Sequence, residues 1–140
     1  MRTVRQHSLA TLLLYCQRDL LAEFVPFLEE RGLTLDQWRI LAALQGTEGI
    51  PMAELASTAV LPPPSLTRNM DRLVERGSVV RAVDRADRRK VVAVLTPAGK
   101  RDVAELRRHE REAERAMADR MGRHRFDSLV AELTELVDPL

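Results

Sequence analysis

The residues best equipped for chemistry in this chain are cationic, and they crowd into one turn. Arg85, Arg88, Arg89 and Lys90 all fall within the segment Asp84-Arg85-Ala86-Asp87-Arg88-Arg89-Lys90. A solvated hairpin is the plain reading of such a run. Folding, however, gains nothing from holding four like charges so close together, whereas a polyanion would bind them. Just upstream, Ser65, Thr67, Arg68, Asn69, Arg72 and Arg76 share one side of a helical pattern whose other side carries Leu66, Met70, Leu73 and Val74. Short polar side chains and arginines are the groups that read base edges in the major groove. Arginine and lysine also neutralise phosphates. The chain offers no phosphate-cradling loop, no nucleophile beside a base and no acid–base pair in a recognisable frame. No enzyme is expected.

Charge is distributed to suit this reading. The whole chain of 140 residues is only +1. Residues 65–101 hold ten Lys/Arg and four Asp/Glu, a local +6; the remainder holds twelve and seventeen, a balance of −5. A basic centre in an acidic frame is an electrostatic footprint for an anionic partner. Aromatics make up 4% of the chain, too few for a base-stacking platform. Hydrophobic residues at 45% suffice for a core. Cys16 is the one cysteine, so neither an intrachain disulfide nor a multi-cysteine metal site can form, which fits a reducing compartment. The N-terminal residues, with Arg2 and Arg5 before a short apolar run interrupted by Arg18 and Asp19, do not read as a secretory leader. No stretch reaches the ~18 apolar residues of a membrane span. The expected location is cytoplasmic.

These residues need elements to hold them. Leu9, Leu12, Leu13, Cys16, Leu20, Phe24, Phe27 and Leu28 recur at helical spacing and predict a first helix over 6–31, kinked or broken by Pro26. Thr34 and Gln37 form a capping box ahead of Trp38, Leu41 and Leu44, a second helix ending near residue 45. Ile50 can begin a very short strand. A short helix over 52–57 and a turn over 58–61 lead to Pro62, Pro63 and Pro64, which open a fourth helix closed by Gly77. Val79, Val80 and Val83, then Val91, Val92, Val94 and Leu95, predict a β-hairpin with the basic run at its tip. Thr96-Pro97 starts a long helix to about Met121, with a thin stripe of Val103, Leu106, Ala113, Met117 and Met121. After Gly122 comes an amphipathic final helix bearing Phe126, Leu129, Val130, Leu133, Leu136 and Val137. The fold class is therefore mainly α, a winged helix-turn-helix flanked by N- and C-terminal helices.

Several segments carry a family resemblance. They are Leu33-Thr34-Leu35-Asp36-Gln37-Trp38-Arg39-Ile40-Leu41, Glu54-Leu55-Ala56, and Pro64-Ser65-Leu66-Thr67-Arg68 through Leu73 to Gly77. The strongest is Asp87-Arg88-Arg89-Lys90 followed by Val94-Leu95-Thr96-Pro97-Ala98-Gly99. In order and spacing the chain resembles the MarR (multiple antibiotic resistance regulator) family. It is closest in look to the branch that controls homoprotocatechuate breakdown. The resemblance implies one domain over 1–140, with a winged helix-turn-helix lobe over 34–96 and dimerisation helices over 1–32 and 97–140. It implies that Pro63, Pro64, Ser65, Thr67 and Arg68 open the recognition helix, that Arg89 is the wing arginine, and that Asp87 orients it or ties the wing to the body. It implies a homodimer on double-stranded DNA, with recognition helices ~34 Å apart on an inverted repeat. It also implies a small aromatic or anionic effector, for which Tyr15, Arg18, Trp38 and Arg39 are the candidates. The three prolines depart from the family pattern and replace polar base contacts by apolar ones. Pro51 departs too, standing where relatives often carry a Ser or Thr cap.

Simpler roles compete for some of these residues. Trp38 reads as a core residue before it reads as a ligand contact. Cys16, on an apolar stripe, reads as a buried inert thiol and not as a redox sensor. His7, His109 and His124 are scattered, so no metal or other cofactor is expected. The function expected is a ligand-responsive repressor; the alternative is a winged-helix module that docks a protein and does not read DNA.

Overall fold

The structure, a computed structural model, describes residues 6–138. Arg2 and Arg5 lie outside the described residues. The elements run α1 (Leu9–Glu30), α2 (Leu35–Leu44), β1 (Ile50–Pro51), α3 (Met52–Ala59), α4 (Pro63–Arg76), β2 (Val79–Val83), β3 (Val91–Leu95), α5 (Pro97–Met121) and α6 (Arg123–Val137). Each begins where its local chemistry permits. Ser8 Oγ accepts from the Thr11 amide at 3.2 Å at the start of α1. The capping box before α2 forms in full, with Thr34 Oγ1 and Gln37 Oε1 accepting each other's backbone amides. Thr96 Oγ1 accepts from Gly99 N–H at 3.0 Å in the first turn of α5.

Three expectations need correcting. Pro26 does not break α1, which continues to Glu30. Ala22 and Pro26 both lie on the exposed side of that helix, where water can take up the carbonyl that loses its amide partner. Next, α3 extends through Ala59 instead of ending near residue 57, because Leu55 and Ala59, four residues apart, are both buried. Its cap is Val60, a β-branched residue in the left-handed region at φ 55. Val60 is 77% exposed, so no packing compensates that strain. The third correction concerns Cys16, which is exposed in this chain and not buried.

The chain divides into two compact units. Residues Phe27–Arg107 form one. Its core gathers Leu28, Leu33, Trp38, Ile40, Leu41, Leu44, Leu55, Leu66, Met70, Leu73, Val79, Ala93, Val103 and Leu106. Leu66, Met70 and Leu73 are the inward stripe of α4; Val74, at its edge, is exposed. The sheet has the order β1-β3-β2, antiparallel throughout, with Ile50 opposite Ala93 and the hairpin in register from Val79↔Leu95 to Val83↔Val91. Val79, Ala93 and Leu95 point into the core. Gly99 seals the hairpin base against α5. A Cβ there would lie 2.1 Å from the Ser78 carbonyl oxygen, so only glycine fits.

Met1–Pro26 and Arg108–Leu140 form the other unit, described through residues 6–26 and 108–138. Among them the buried apolar side chains are Phe24, Ala113, Ala118 and Phe126. Leu9, Leu12, Leu13, Leu14 and Tyr15 of α1 are exposed, as are Leu129, Val130, Leu136 and Val137 of α6. Cys16 shares that uncovered stripe, which is why periodicity alone misplaced it in a core.

Candidate nucleic-acid interface

The site is built on α4 and on the hairpin that follows it. α4 opens on prolines: Pro62 is the N-cap, and Pro63 and Pro64 fill the first two helical positions. These residues have no amide hydrogens, and the Leu66 amide is bonded to the Pro62 carbonyl at 3.0 Å. Of the first-turn donors only the Ser65 amide remains, so this helix start is a poor phosphate cradle. Its polar face must work through side chains. Pro63, Pro64, Thr67, Arg68 and Arg72 are exposed, and Ser65 and Asn69 are half-buried. Thr67 Oγ1 donates to the Pro63 carbonyl at 3.1 Å, and Asn69 Nδ2 to the Ser65 carbonyl at 2.9 Å. Arg68 reaches Ser65 Oγ at 3.5 Å. Asn69 is thus largely spent inside the helix, whereas Arg68 and Arg72 project with free donors.

The hairpin sorts its cations into held and free. Arg89 is gripped by Asp87: Nε lies 3.1 Å from Oδ1, Nη2 lies 3.3 Å from Oδ2, and the Arg89 amide also donates to Oδ1 at 3.0 Å. These bonds from Arg89 hold the Asp87 carboxyl below the usual carboxylate range, with Lys90 adding to the effect. The Arg89 side chain nevertheless stays 91% exposed, aimed but uncovered. The Lys90 amide bonds the Asp87 carbonyl at 3.0 Å, and Asp84 Oδ1 accepts from the Ala86 amide at 3.0 Å. Among the described residues, Arg85, Arg88 and Lys90 make no side-chain ion pair. Of the two roles expected for Asp87, its contacts fit the orienting one.

A link that the sequence did not reveal joins the two elements. Arg81 of β2 donates through Nη2 to Asp71 of α4. No spacing rule pairs a helix residue with a strand residue ten positions later; the contact exists because β2 returns along α4.

The ligand candidates fall in the two separate units. Tyr15 and Arg18 touch, with the guanidinium carbon 5.0 Å from the ring centroid. Both are exposed. Trp38 is 3% exposed, lies in the core, and carries Arg107 over its ring at 5.5 Å. Arg39 pairs with Asp36 at 3.7 Å. Among the described residues no three His, Cys, Asp or Glu side chains gather as a metal site, and no helix is long and apolar enough to cross a membrane.

The Asp71–Arg81 pair ties the helix that carries Arg68 and Arg72 to the hairpin that carries the basic tip. This arrangement defines a transcription regulator of the winged helix-turn-helix class. The chain belongs to the MarR family, whose sequence model matches residues 31–90. The HTH-type transcriptional regulator FarR of Neisseria gonorrhoeae is 31% identical over 144 residues, covering 100% of this chain and 99% of that protein. The homoprotocatechuate degradative operon repressor of Escherichia coli is 33% identical over 92 residues, 66% of this chain and 62% of that one, in line with the expected branch. Among solved structures, NadR in complex with 4-hydroxyphenylacetate superposes with a TM-score of 0.83 at 30% identity, covering 100% of both chains. The transcriptional repressor CouR bound to a 23-mer DNA duplex superposes with a TM-score of 0.77 at 25% identity, covering 93% of this chain and 92% of that one.

Proposed function

We propose that this protein is a cytoplasmic repressor that binds an inverted-repeat operator as a homodimer and leaves it when a small aromatic acid binds. The observation that carries the reading is the cationic hairpin. Among the described residues the side chains of Arg85, Arg88 and Lys90 make no ion pair, and Arg89 is held in place yet exposed. In the proposed complex α4 enters the major groove. Ser65, Thr67, Arg68 and Arg72 face base edges, Pro63 and Pro64 meet thymine methyls, and Asn69 mainly braces the helix. The four hairpin cations contact phosphates and the adjacent minor groove. The exposed apolar stripes of α1 and α6 supply the surface for a second copy. The effector is taken to be an aromatic acid by likeness to the NadR complex, with exposed Tyr15 better placed to meet it than buried Trp38, and with Arg18 and Arg39, each already paired with a neighbouring aspartate, as the cationic candidates. Its binding would favour a spacing of the recognition helices that DNA does not accept. No catalysis forms part of this role.

Titrating salt against binding to a random-sequence duplex tests the reading directly. Affinity should fall steeply as salt rises, by orders of magnitude between about 50 and 200 mM. Absence of binding even at low salt would point to the protein-docking alternative.

A further inference from the structure

One carboxylate, that of Asp102, joins α5 to the end of α4 and to the residue after α1. It sits near the start of α5. Its Oδ1 lies 2.9 Å from Nη1 of Arg31, the residue that follows α1. Its Oδ2 lies 3.7 Å from Nη2 of Arg76, the last residue of α4. The second arm of Arg31 reaches Glu105 Oε2 at 2.6 Å, and Arg76 Nη1 donates to the Arg31 carbonyl. Arg31, Asp102 and Arg76 close a ring through the Arg31 carbonyl, and Glu105 on its edge brings the cluster to two positive and two negative charges. The side chains of Arg31 and Asp102 are each 25% exposed and that of Arg76 is 32% exposed, so opening the ring leaves a partly desolvated charge.

From this geometry we infer that Asp102 is a positioning residue for DNA recognition: it anchors the C-terminal end of α4 and so sets the angle at which the helix meets the groove. The inference rests on α4 being the recognition helix. Asp102 itself touches no DNA. The apolar stripe of Leu66, Met70 and Leu73 holds α4 down, but hydrophobic contact is non-directional and leaves tilt free. The N-terminal end cannot fix tilt, since its cap is a proline with no side-chain hydrogen bond. Directional restraint comes from Asp71–Arg81 along the helix and from the Asp102 ring at its end. Ser65 lies about 16 Å along the axis from Arg76, so a tilt of about 5° at the anchored end displaces it by about 1.4 Å. A shift of that size breaks hydrogen bonds to base edges and leaves long flexible contacts to phosphates intact.

The test uses the full-length protein, a duplex that the wild type selects from a random library, and a scrambled duplex of the same composition. Asp102→Asn should weaken binding to the selected duplex about fivefold to tenfold, with scrambled-duplex affinity and the salt slope unchanged. Asp102→Glu, which keeps the charge, should recover most of the loss. If Asp102→Asn fails to fold by circular dichroism, Arg76→Lys serves instead. It keeps the charge but cannot span both partners, and it should show the same selective loss. Equal loss on both duplexes, or unchanged discrimination in a folded variant, overturns the inference. If the wild type selects no duplex at all, the DNA-binding reading has failed and the positioning role falls with it.

Discussion

At the scale of single residues, the wing separates two jobs that a run of basic side chains conflates. Arg89 is fixed by Asp87, while Arg85, Arg88 and Lys90 remain free to follow a phosphate backbone. Changing Arg89 to Ala should weaken binding to any duplex and lower the slope of log affinity against log salt by about one. It should also release Asp87. The carboxyl of Asp87 titrates below its ordinary range because the Arg89 guanidinium donates to its ionised form. The bridge therefore contributes fully above the ordinary aspartate value and is lost as pH falls through the depressed one. In carbon-detected NMR the Asp87 midpoint should rise toward an ordinary aspartate value in Arg89→Ala; an unmoved midpoint would show that the guanidinium is not the cause. Arg68 belongs to the other class. Its substitution should change which base pair is preferred, at a cost of about 1–3 kcal/mol on the selected site, more than it changes binding to random DNA.

Among the elements, the hairpin and α5 meet at a point that tolerates one residue type. Thr96 Oγ1 donates to the Gly77 carbonyl at 2.6 Å while capping α5, and Gly99 passes beneath the Ser78 carbonyl with no room for a methyl group. Gly99→Ala should destabilise the chain by about 1–3 kcal/mol, the usual range for overpacking. A urea midpoint matching wild type would refute that contact. The same junction shows what local reading captures. Thr96-Pro97 announces a helix start through cap and φ alone, and that is where α5 begins. The need for glycine at residue 99 comes from a carbonyl twenty-one positions earlier, which no local rule supplies. The end of α3 failed to read for the same reason. Thr58 and Ala59 looked like a turn, but burial of Ala59 against the core kept them helical.

In the molecule as a whole, the stable lobe and the exposed helices demand different company. Phe27–Arg107 buries its own apolar stripes, whereas α1 and α6 leave most of theirs open. Each leucine that a second copy covers contributes about 1.5–3 kcal/mol to association. Leu13→Asp should therefore produce monomers by sedimentation at concentrations where wild type is dimeric. Such monomers should lose tight binding to an inverted-repeat duplex while keeping the far-ultraviolet helical signal. Cys16 adds an internal check, since its thiol should react slowly with a disulfide reagent in the wild-type dimer and quickly in Leu13→Asp. Equal, rapid reaction in both would place the interface elsewhere.

Periodicity, caps and turn residues sufficed to place the helices, the hairpin and the cationic tip, because each is decided by interactions within a few residues. They also named the exposed side chains proposed to meet DNA, since exposure on a helix face and charge repulsion in a turn are local properties. Only the folded chain decided which cations are neutralised across elements, Arg81 by Asp71 and Arg76 by Asp102, and that Arg89, beside Asp87, stays exposed. Only it decided that Cys16 faces outward. An ion pair across elements, like burial, depends on which surfaces the chain brings together over long separations, and the spacing of residues along a single strand of sequence does not encode that distance.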